Sequence, residues 1–504
     1  MNPGVTAMAP EAQPASAWLV RMAWIAGALA LLVGIIGLVA TLVWTLGTLA
    51  TRPLDVVEGE ILFEASRLRE GLPLYVDPRV GAPYAGSLVP ARYYVLYIPV
   101  WSAIVSLVPA KAAFLFARGA NALAWLGTLA RAVVIAPRER RIRAATVALF
   151  FGGAWVLALH GCSGKPDGIA VAVAGAALLR SVRRGRVDAL AGALFVLAFF
   201  LKPNAIGAAP GAILASVWLA RRRLAHLVAP LVGVVAATVT LGVILTVASG
   251  GTLWITHLLA STGQPPVLAL WKQQVAARGP FYLLPLAGTL GFGVLAWRRS
   301  RAPEALVATC ALATSAAWCF LCLAKIGSAS NYFLEPGIAA VTLLACVAAP
   351  VRLPPLPRLA LALALAVQSF WIGVASVRSV IEEMAKVEAR ADMVANARSR
   401  CGAPLGSLVA ADEPGLEMML DGRILQTPFQ TSNMVRRGKF DVATWKSDLS
   451  QPEVACLLLS DDVLERAQVD PLHDRFGPDV RRLLADRFEP VATGGEYRLY
   501  RARW

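Results

Sequence analysis

Apolar residues run along this chain in long blocks separated by short polar breaks. Trp24 to Ala50 contains no charged residue, and Leu224 to Gly250 carries only His226 among its ionisable side chains. Each exceeds the roughly 20 apolar residues that a helix needs to cross a bilayer. The first is longer than a signal-peptide core and predicts an uncleaved anchor. Further blocks predict spans at 112–136, 144–160, 168–180, 188–201, 205–220, 281–297, 305–324, 336–350 and 359–377, about eleven in all. Residues 96–108 are apolar but short and predict a helix at the interface. Residues 1–17 are rich in Pro and Ala and predict a disordered cytoplasmic terminus.

Two stretches follow other rules. Residues 51–95 form a long charged loop after the first span. Within it, 58–72 has helical spacing, with Ile61, Leu62, Ala65, Leu68 and Leu72 on one face and Glu60, Glu64, Arg67 and Glu70 on the other, the signature of a helix lying in the membrane interface. From 378 to 504 the chain is more polar. Leu408–Asp412, Val454–Ser460 and Tyr497–Tyr500 read as strands, and Pro414–Leu420 and Pro478–Asp486 as helices. The prediction is a membrane module over 18–377 with a small C-terminal α/β domain over 378–504.

Composition agrees. Hydrophobic residues make up 57% and charged residues 16% of the 504, against about 25% charged in soluble domains, and mean hydropathy is +0.61. The net charge of +16 does not point to nucleic acid, because the arginines cluster between apolar blocks: Arg138, Arg140, Arg141 and Arg143; Arg180, Arg183, Arg184 and Arg186; Arg221 to Arg223; Arg298, Arg299 and Arg301; Arg352 and Arg358. Such loops stay in the cytoplasm, which puts the N-terminus inside, the 51–95 loop and the C-terminal domain outside, and the chain in the cell's inner (plasma) membrane. Of the seven cysteines, Cys310, Cys319, Cys322 and Cys346 lie in apolar helices as packing residues, while Cys401 and Cys456 share the external domain and are open to pairing.

Several charges are out of place in this pattern. Asp55, Glu58 and Glu60 follow the first span; Gly164-Lys165-Pro166-Asp167 and Lys202-Pro203-Asn204 sit at the external ends of apolar runs; Lys325 and Asn331 to Glu335 form a fourth group. From Gly168 to Leu179 is a run of twelve residues, about 18 Å of helix, in a hydrocarbon core of about 30 Å. Helices that short, pinned inside by arginines, leave Lys165, Asp167 and Lys202 in a recess. Charged backbone at that depth lines a cavity or is buried in protein. Helices starting after Pro166, after Pro203 and at Pro336 bring N-terminal N–H groups to the same face, suited to an anion. The local alternatives are a solvated helix start, a loop ion pair and a snorkelling lysine. His160 lies near the recess, as a ligand or as a buried structural residue. No metal-ligand spacing is diagnostic, although the carboxylates leave a divalent metal possible.

At these residues the chain resembles the GT-C superfamily of membrane glycosyltransferases, which use lipid-phosphate sugars and include protein mannosyltransferases and aminoarabinose transferases. Val57-Glu58-Gly59 with Gly71-Leu-Pro-Leu-Tyr75 resembles the family's first-loop motif, although Val57 stands where many members have Asp. Pro90-Ala-Arg-Tyr93-Tyr94, Asp167, Lys202 and Gly327-Ser328 with Asn331-Tyr332 match further short motifs. The resemblance covers most of the chain. It implies transfer of a sugar from a polyprenyl-phosphate donor to an acceptor (glycan, lipid or protein), with inversion. Glu58 or Asp55 is then the base, with Asp167 as a further catalytic carboxylate. Lys202, Lys165 and Arg92 bind the donor phosphate; Tyr93, Tyr94, Asn331, Tyr332 and Glu335 bind substrate. A lipid or sugar flippase or transporter, and a non-catalytic scaffold of the same fold, are the rival readings. Transporters favour midplane charges and paired repeats, and neither is visible here.

Overall fold

The computed structural model describes residues 14–52, 56–84, 87–95, 97–220, 224–262, 266–325, 330–347, 355–404, 406–460, 463–464 and 475–503. The expectations for Asp55, for Gly327-Ser328 and for most of the N-terminal tail lie outside them.

The helical part runs α1 (Pro14–Gly47), α2 (Val56–Arg69), α3 (Val100–Ser106), α4 (Ala110–Ile135), α5 (Arg138–Gly153), α6 (Trp155–Gly161), α7 (Asp167–Arg184), α8 (Ala189–Leu201), α9 (Ala208–Leu219), α10 (Leu224–Ala248), α11 (Leu253–Thr262), α12 (Leu268–Ser300), α13 (Pro303–Cys322), a 3₁₀ turn (Ser330–Phe333), α14 (Leu334–Cys346) and α15 (Pro355–Cys401). This is a multi-pass membrane protein. Among the described residues five helices, α1, α10, α12, α13 and α15, are long and apolar enough to cross a bilayer, or six if α5 and α6 form one broken span. The remaining expected spans are helices, but α8, α9 and α14 have only 12 or 13 residues, about 18–20 Å. Buried on every face, α14 forms the axis of the bundle, as expected of a helix that is apolar all round.

Four boundaries depart from the sequence reading. The span expected at 144–160 is broken by 79° where Ala154 leaves helical geometry. Extending through Arg184, α7 reaches 18 residues, so it is not short; the shortness belongs to α8, α9 and α14. Starting at Leu268, α12 runs 33 residues with Pro280 and Pro285 inside it. The expected domain boundary at 378 falls inside α15, which continues unbroken for 47 residues to Cys401. The polar residues from Arg378 on include no Gly or Pro to stop it, and Gly402 ends it at φ +66°. Tight glycine contact lets α1 and α15 cross closely: a Cβ on Gly37 would meet the Gly373 backbone at 2.7 Å.

Beyond α15 the chain forms β1 (Leu408–Ala411), α16 (Pro414–Asp421), α17 (Pro428–Arg436), α18 (Val442–Leu449), β2 (Val454–Ser460), α19 (Pro478–Arg487), β3 (Phe488–Gly494) and β4 (Tyr497–Ala502). The sheet order is β1-β2-β4-β3, with β1 parallel to β2 and the other pairs antiparallel. The sequence missed β3, an edge strand with an irregular register at Pro490, since proline breaks strand patterning and is confined to edges. A disulfide joins Cys401, at the end of α15, to Cys456 in β2.

The amphipathic helix of the first loop does not lie with a polar face in water. Along α2, Glu58, Glu60, Glu64 and Arg67 are all buried. The helix is wedged between the bundle and α16, where a Cβ on Gly59 would come within 2.1 Å of the Gly415 Cα. A second chain segment covers the face that periodicity assigned to solvent.

Candidate active site

The packing of α7 against α8 sets the site. α7 starts at Asp167 after Pro166, and α8 ends at Leu201 with Lys202 as its C-cap. The two run antiparallel through the short loop at 185–188, so the start of one meets the end of the other. Lys202 Nζ donates to Asp167 Oδ1, and both side chains are buried. Asn331 Nδ2 donates to the same oxygen at 2.8 Å. Asp167 Oδ2 and Asn331 Oδ1 are buried without a partner. The ammonium of Lys202 lies 5.2 Å from the centre of the Tyr97 ring. Tyr332 is hydrogen-bonded to Asn204, beside Lys202.

His160, at the end of α6, lies within electrostatic reach of Lys165, Asp167, Lys202 and Arg278, and Lys325 within reach of Lys202. His160 Nδ1 is buried without a partner. Two buried lysines, Lys165 and Lys202, thus stand by one carboxylate with unused polar atoms, and the half-buried Arg278 and Lys325 lie at the edge of the cluster. An excess of buried positive charge and N–H donors is the chemistry of an anion site. Among the described residues no group of three or more His, Cys, Asp or Glu side chains is arranged to hold a metal ion.

Glu58 stands beside this cluster in a role the sequence reading did not give it. Arg118 holds it bidentately, Nε to Oε1 at 2.8 Å and Nη2 to Oε2 at 2.6 Å. Arg118 Nη1 donates to the Leu49 and Arg52 carbonyls. Glu58 Oε1 also accepts from Gly164 N at 2.6 Å. Arg52 donates to Cys162 O, and Trp101 Nε1 to Gly164 O. Glu58 therefore anchors the turn that carries Lys165 and Asp167. Both its oxygens are engaged by these donors.

Other expected site residues lie elsewhere. Arg92 does not meet the lysines; it pairs with Asp448 of α18 and donates to the Pro78 and Arg79 carbonyls, fastening the first loop to the C-terminal unit. Tyr93 is buried, its hydroxyl donating to Leu74 O and its ring edge-on to Phe63. Tyr94 is buried against His257, and its backbone N–H donates to Thr427 Oγ1. Both tyrosines pack into that junction. Glu335 is also spent internally, accepting from Gly207 N, Ala208 N and Ser315 Oγ at 3.0–3.1 Å. It neutralises the N-terminus of α9, so that helix start is not open to an external anion. The start of α7 is partly taken in the same way, by Asn121 Oδ1 on Ile169 N.

Three residues escaped the sequence reading. Arg118 lies inside a predicted span, a position that marks an ionisable residue as having a purpose. Arg278 lies ahead of the span expected at 281–297, in the part of α12 that begins at Leu268. His257 accepts from Val95 N and contacts Val76 O, holding the first loop from the far side; no local pattern signals it.

A bundle of long and short helices, with a buried cation–carboxylate cluster at the end that carries a C-terminal sheet, defines a polytopic helical membrane protein with a small α/β unit. ArnT from Cupriavidus metallidurans has this fold. Bound to undecaprenyl phosphate, it superposes with a TM-score of 0.52 at 16% identity, covering 96% of this chain and 98% of that one. Its apo state gives 0.54 at 16%, over 97% and 98%. The Archaeoglobus fulgidus oligosaccharyltransferase in its apo form gives 0.47 at 12%, over 93% and 74%. The sequence matches no protein-family model and no curated relative.

Proposed function

We propose that this chain is a membrane glycosyltransferase that moves a sugar from a polyprenyl-phosphate donor to an acceptor by inverting displacement. The observation that carries the reading is the buried cluster of Asp167, Lys202 and Asn331, in a fold shared with a protein that binds undecaprenyl phosphate. Lys202, Lys165 and Arg278 hold the donor phosphate and stabilise the charge that grows on it as the glycosidic bond breaks. The acceptor hydroxyl or amine attacks the anomeric carbon from the opposite side and gives up its proton. Polyprenyl phosphate leaves with the bonding electrons. Asp167, through its unpartnered oxygen, takes or orients that proton; Asp55 is the second carboxylate of the reading. Holding both substrates at one recess supplies proximity.

The topology of the proposal has about eleven spans, arginine loops in the cytoplasm and an extracytoplasmic C-terminal α/β domain. The Cys401–Cys456 disulfide supports that side, because disulfides persist in oxidising compartments.

Purified chain is incubated with polyprenyl-phosphate sugars, and sugar release and transfer are followed by mass spectrometry. Lys202→Ala removes a charged hydrogen bond worth about 1.5–3 kcal/mol, so undecaprenyl-phosphate affinity falls roughly 10- to 100-fold. Unchanged affinity sinks the phosphate assignment. Lipid movement without chemistry indicates a flippase, and neither outcome indicates a scaffold.

A further inference from the structure

The C-terminal unit holds a cleft of about 790 Å³ that shares no residue with the recess described above. It lies between the end of α15, the turn into β1, the end of α16 and the first loop. Helix ends and a tight turn build it. Gly402 closes α15 at φ +66°, Gly422 closes α16 at φ +66°, and Gly406 turns the chain toward β1 at φ +84°. Left-handed backbone of this kind favours glycine, so these parts of the wall carry no side chain. A Cβ placed on any of the three would meet no atom within 4 Å. The space above them is open, and its size falls within the roughly 300–1,000 Å³ of small-molecule sites.

The charge that the cleft leaves uncommitted is an arginine. Arg423 lies with its guanidinium 4.8 Å from the centre of the Tyr84 ring. Among the described residues its one hydrogen bond is a long one, from Nη2 to Ser87 Oγ at 3.4 Å, so its other N–H donors are unspent. Arg398, in the last turn of α15, is 38% exposed; it donates to Ser407 O at 2.7 Å and to Asp421 Oδ1. The carboxylates nearby are already engaged. Asp421, only 2% exposed, also accepts from Val409 N at 3.1 Å. Glu453 accepts from Ser87 Oγ at 2.7 Å and Leu88 N at 2.8 Å. A guanidinium held on an aromatic face is orientated in advance, and its planar fork matches a carboxylate or phosphate. The cleft is larger than either group, so the group is carried on a larger polar molecule. We propose that this cleft binds a sugar-sized polar molecule through an anionic group, carboxylate or phosphate, held by Arg423. Binding here does not depend on the transferase reading.

The test uses the full chain in lauryldimethylamine oxide, a detergent without a sugar head group. Saturation-transfer-difference NMR near neutral pH is recorded with glucuronate, glucose 1-phosphate and the neutral methyl glucoside. At least one of the two anions saturates on the wild type, and the neutral sugar binds more weakly. Tighter glucuronate binding marks a carboxylate ligand and tighter glucose 1-phosphate binding a phosphate; either supports the proposal. The apparent Kd rises about tenfold or more in Arg423→Gln, the loss of a charged hydrogen bond. Ser399→Trp, on the exposed side of α15, weakens binding by filling the cleft without removing a charge. Lys202→Ala leaves the Kd within about twofold, as expected for an independent site, which separates the cleft from the recess. Amide exchange on the wild type, which needs no variant to fold, slows at 406–408 and 421–423 when the anion is added. The proposal is overturned if neither anion binds, if the neutral sugar binds as tightly, if Arg423→Gln and Ser399→Trp both bind as the wild type does, if Lys202→Ala abolishes binding, or if exchange at those residues is unaffected.

Discussion

Arg118→Met separates an anchoring Glu58 from a catalytic one. The substitution keeps most of the aliphatic bulk of Arg118 and deletes its N–H donors. Glu58, whose side chain is 3% exposed, then loses its bidentate cation and keeps the Gly164 N–H. The carbonyls of Leu49 and Arg52 lose their guanidinium donor. Removing one partner of a buried ion pair costs about 3–5 kcal/mol, and the two carbonyls place this case toward the upper end. Adding Glu58→Gln leaves no uncompensated charge, so the double variant recovers about 2 kcal/mol or more relative to Arg118→Met alone. Unfolding midpoints in an SDS titration give the stabilities, and turnover is measured in parallel. If Glu58 anchors the 162–166 turn, both single variants lose activity together, because Lys165 and Asp167 are displaced in each. A cost for Arg118→Met below about 1 kcal/mol, strict additivity in the double variant, or activity loss confined to Glu58→Gln refutes the anchoring role.

Three further outcomes follow from the C-terminal junction. Gly59→Ala puts a methyl group into the Gly415 backbone, so α2 must shift from α16 at about 1–3 kcal/mol; an unchanged melting temperature would contradict the close approach. Cys456→Ser opens a link spanning 55 residues and costs the C-terminal unit about 4 kcal/mol, while non-reducing peptide mapping of the wild type recovers Cys401 joined to Cys456. Burial pushes the Glu417 carboxyl from 4.5 up to about 8, against the N–H donors of Ala411, Leu425 and Gln426. A folded-state pKa above the unfolded one means that the native state holds the proton longer, so this stability is greatest below about pH 4.5 and declines as pH rises through about 8. Unfolding midpoints across that window have a slope that Glu417→Gln flattens, and equal slopes would remove the effect.

What was legible in the sequence is what depends on neighbours along the chain. Lipid demands uninterrupted apolar runs, so α1, α10 and α13 could be read from hydropathy, and arginine placement carried the orientation in the proposal. Lys165, Asp167, Lys202 and Asn331 stood out because each interrupts such a run at the same end of the bundle, and the structure brings all four to one place. Which charge answers which depended on tertiary contact. Glu58 and Arg118 are 60 residues apart, Arg92 and Asp448 are 356 apart, and Glu335 reaches 127 residues back to cap α9. A carboxylate looks the same in sequence whether it awaits a substrate, a guanidinium or a helix end. Periodicity fixes the face on which a side chain emerges, but not what covers that face. For α2 the partners are Arg118 on Glu58, Ser102 on Glu64 and Gln430, 370 residues away, on Glu60, and only the packed fold decided that its acids are interior groups.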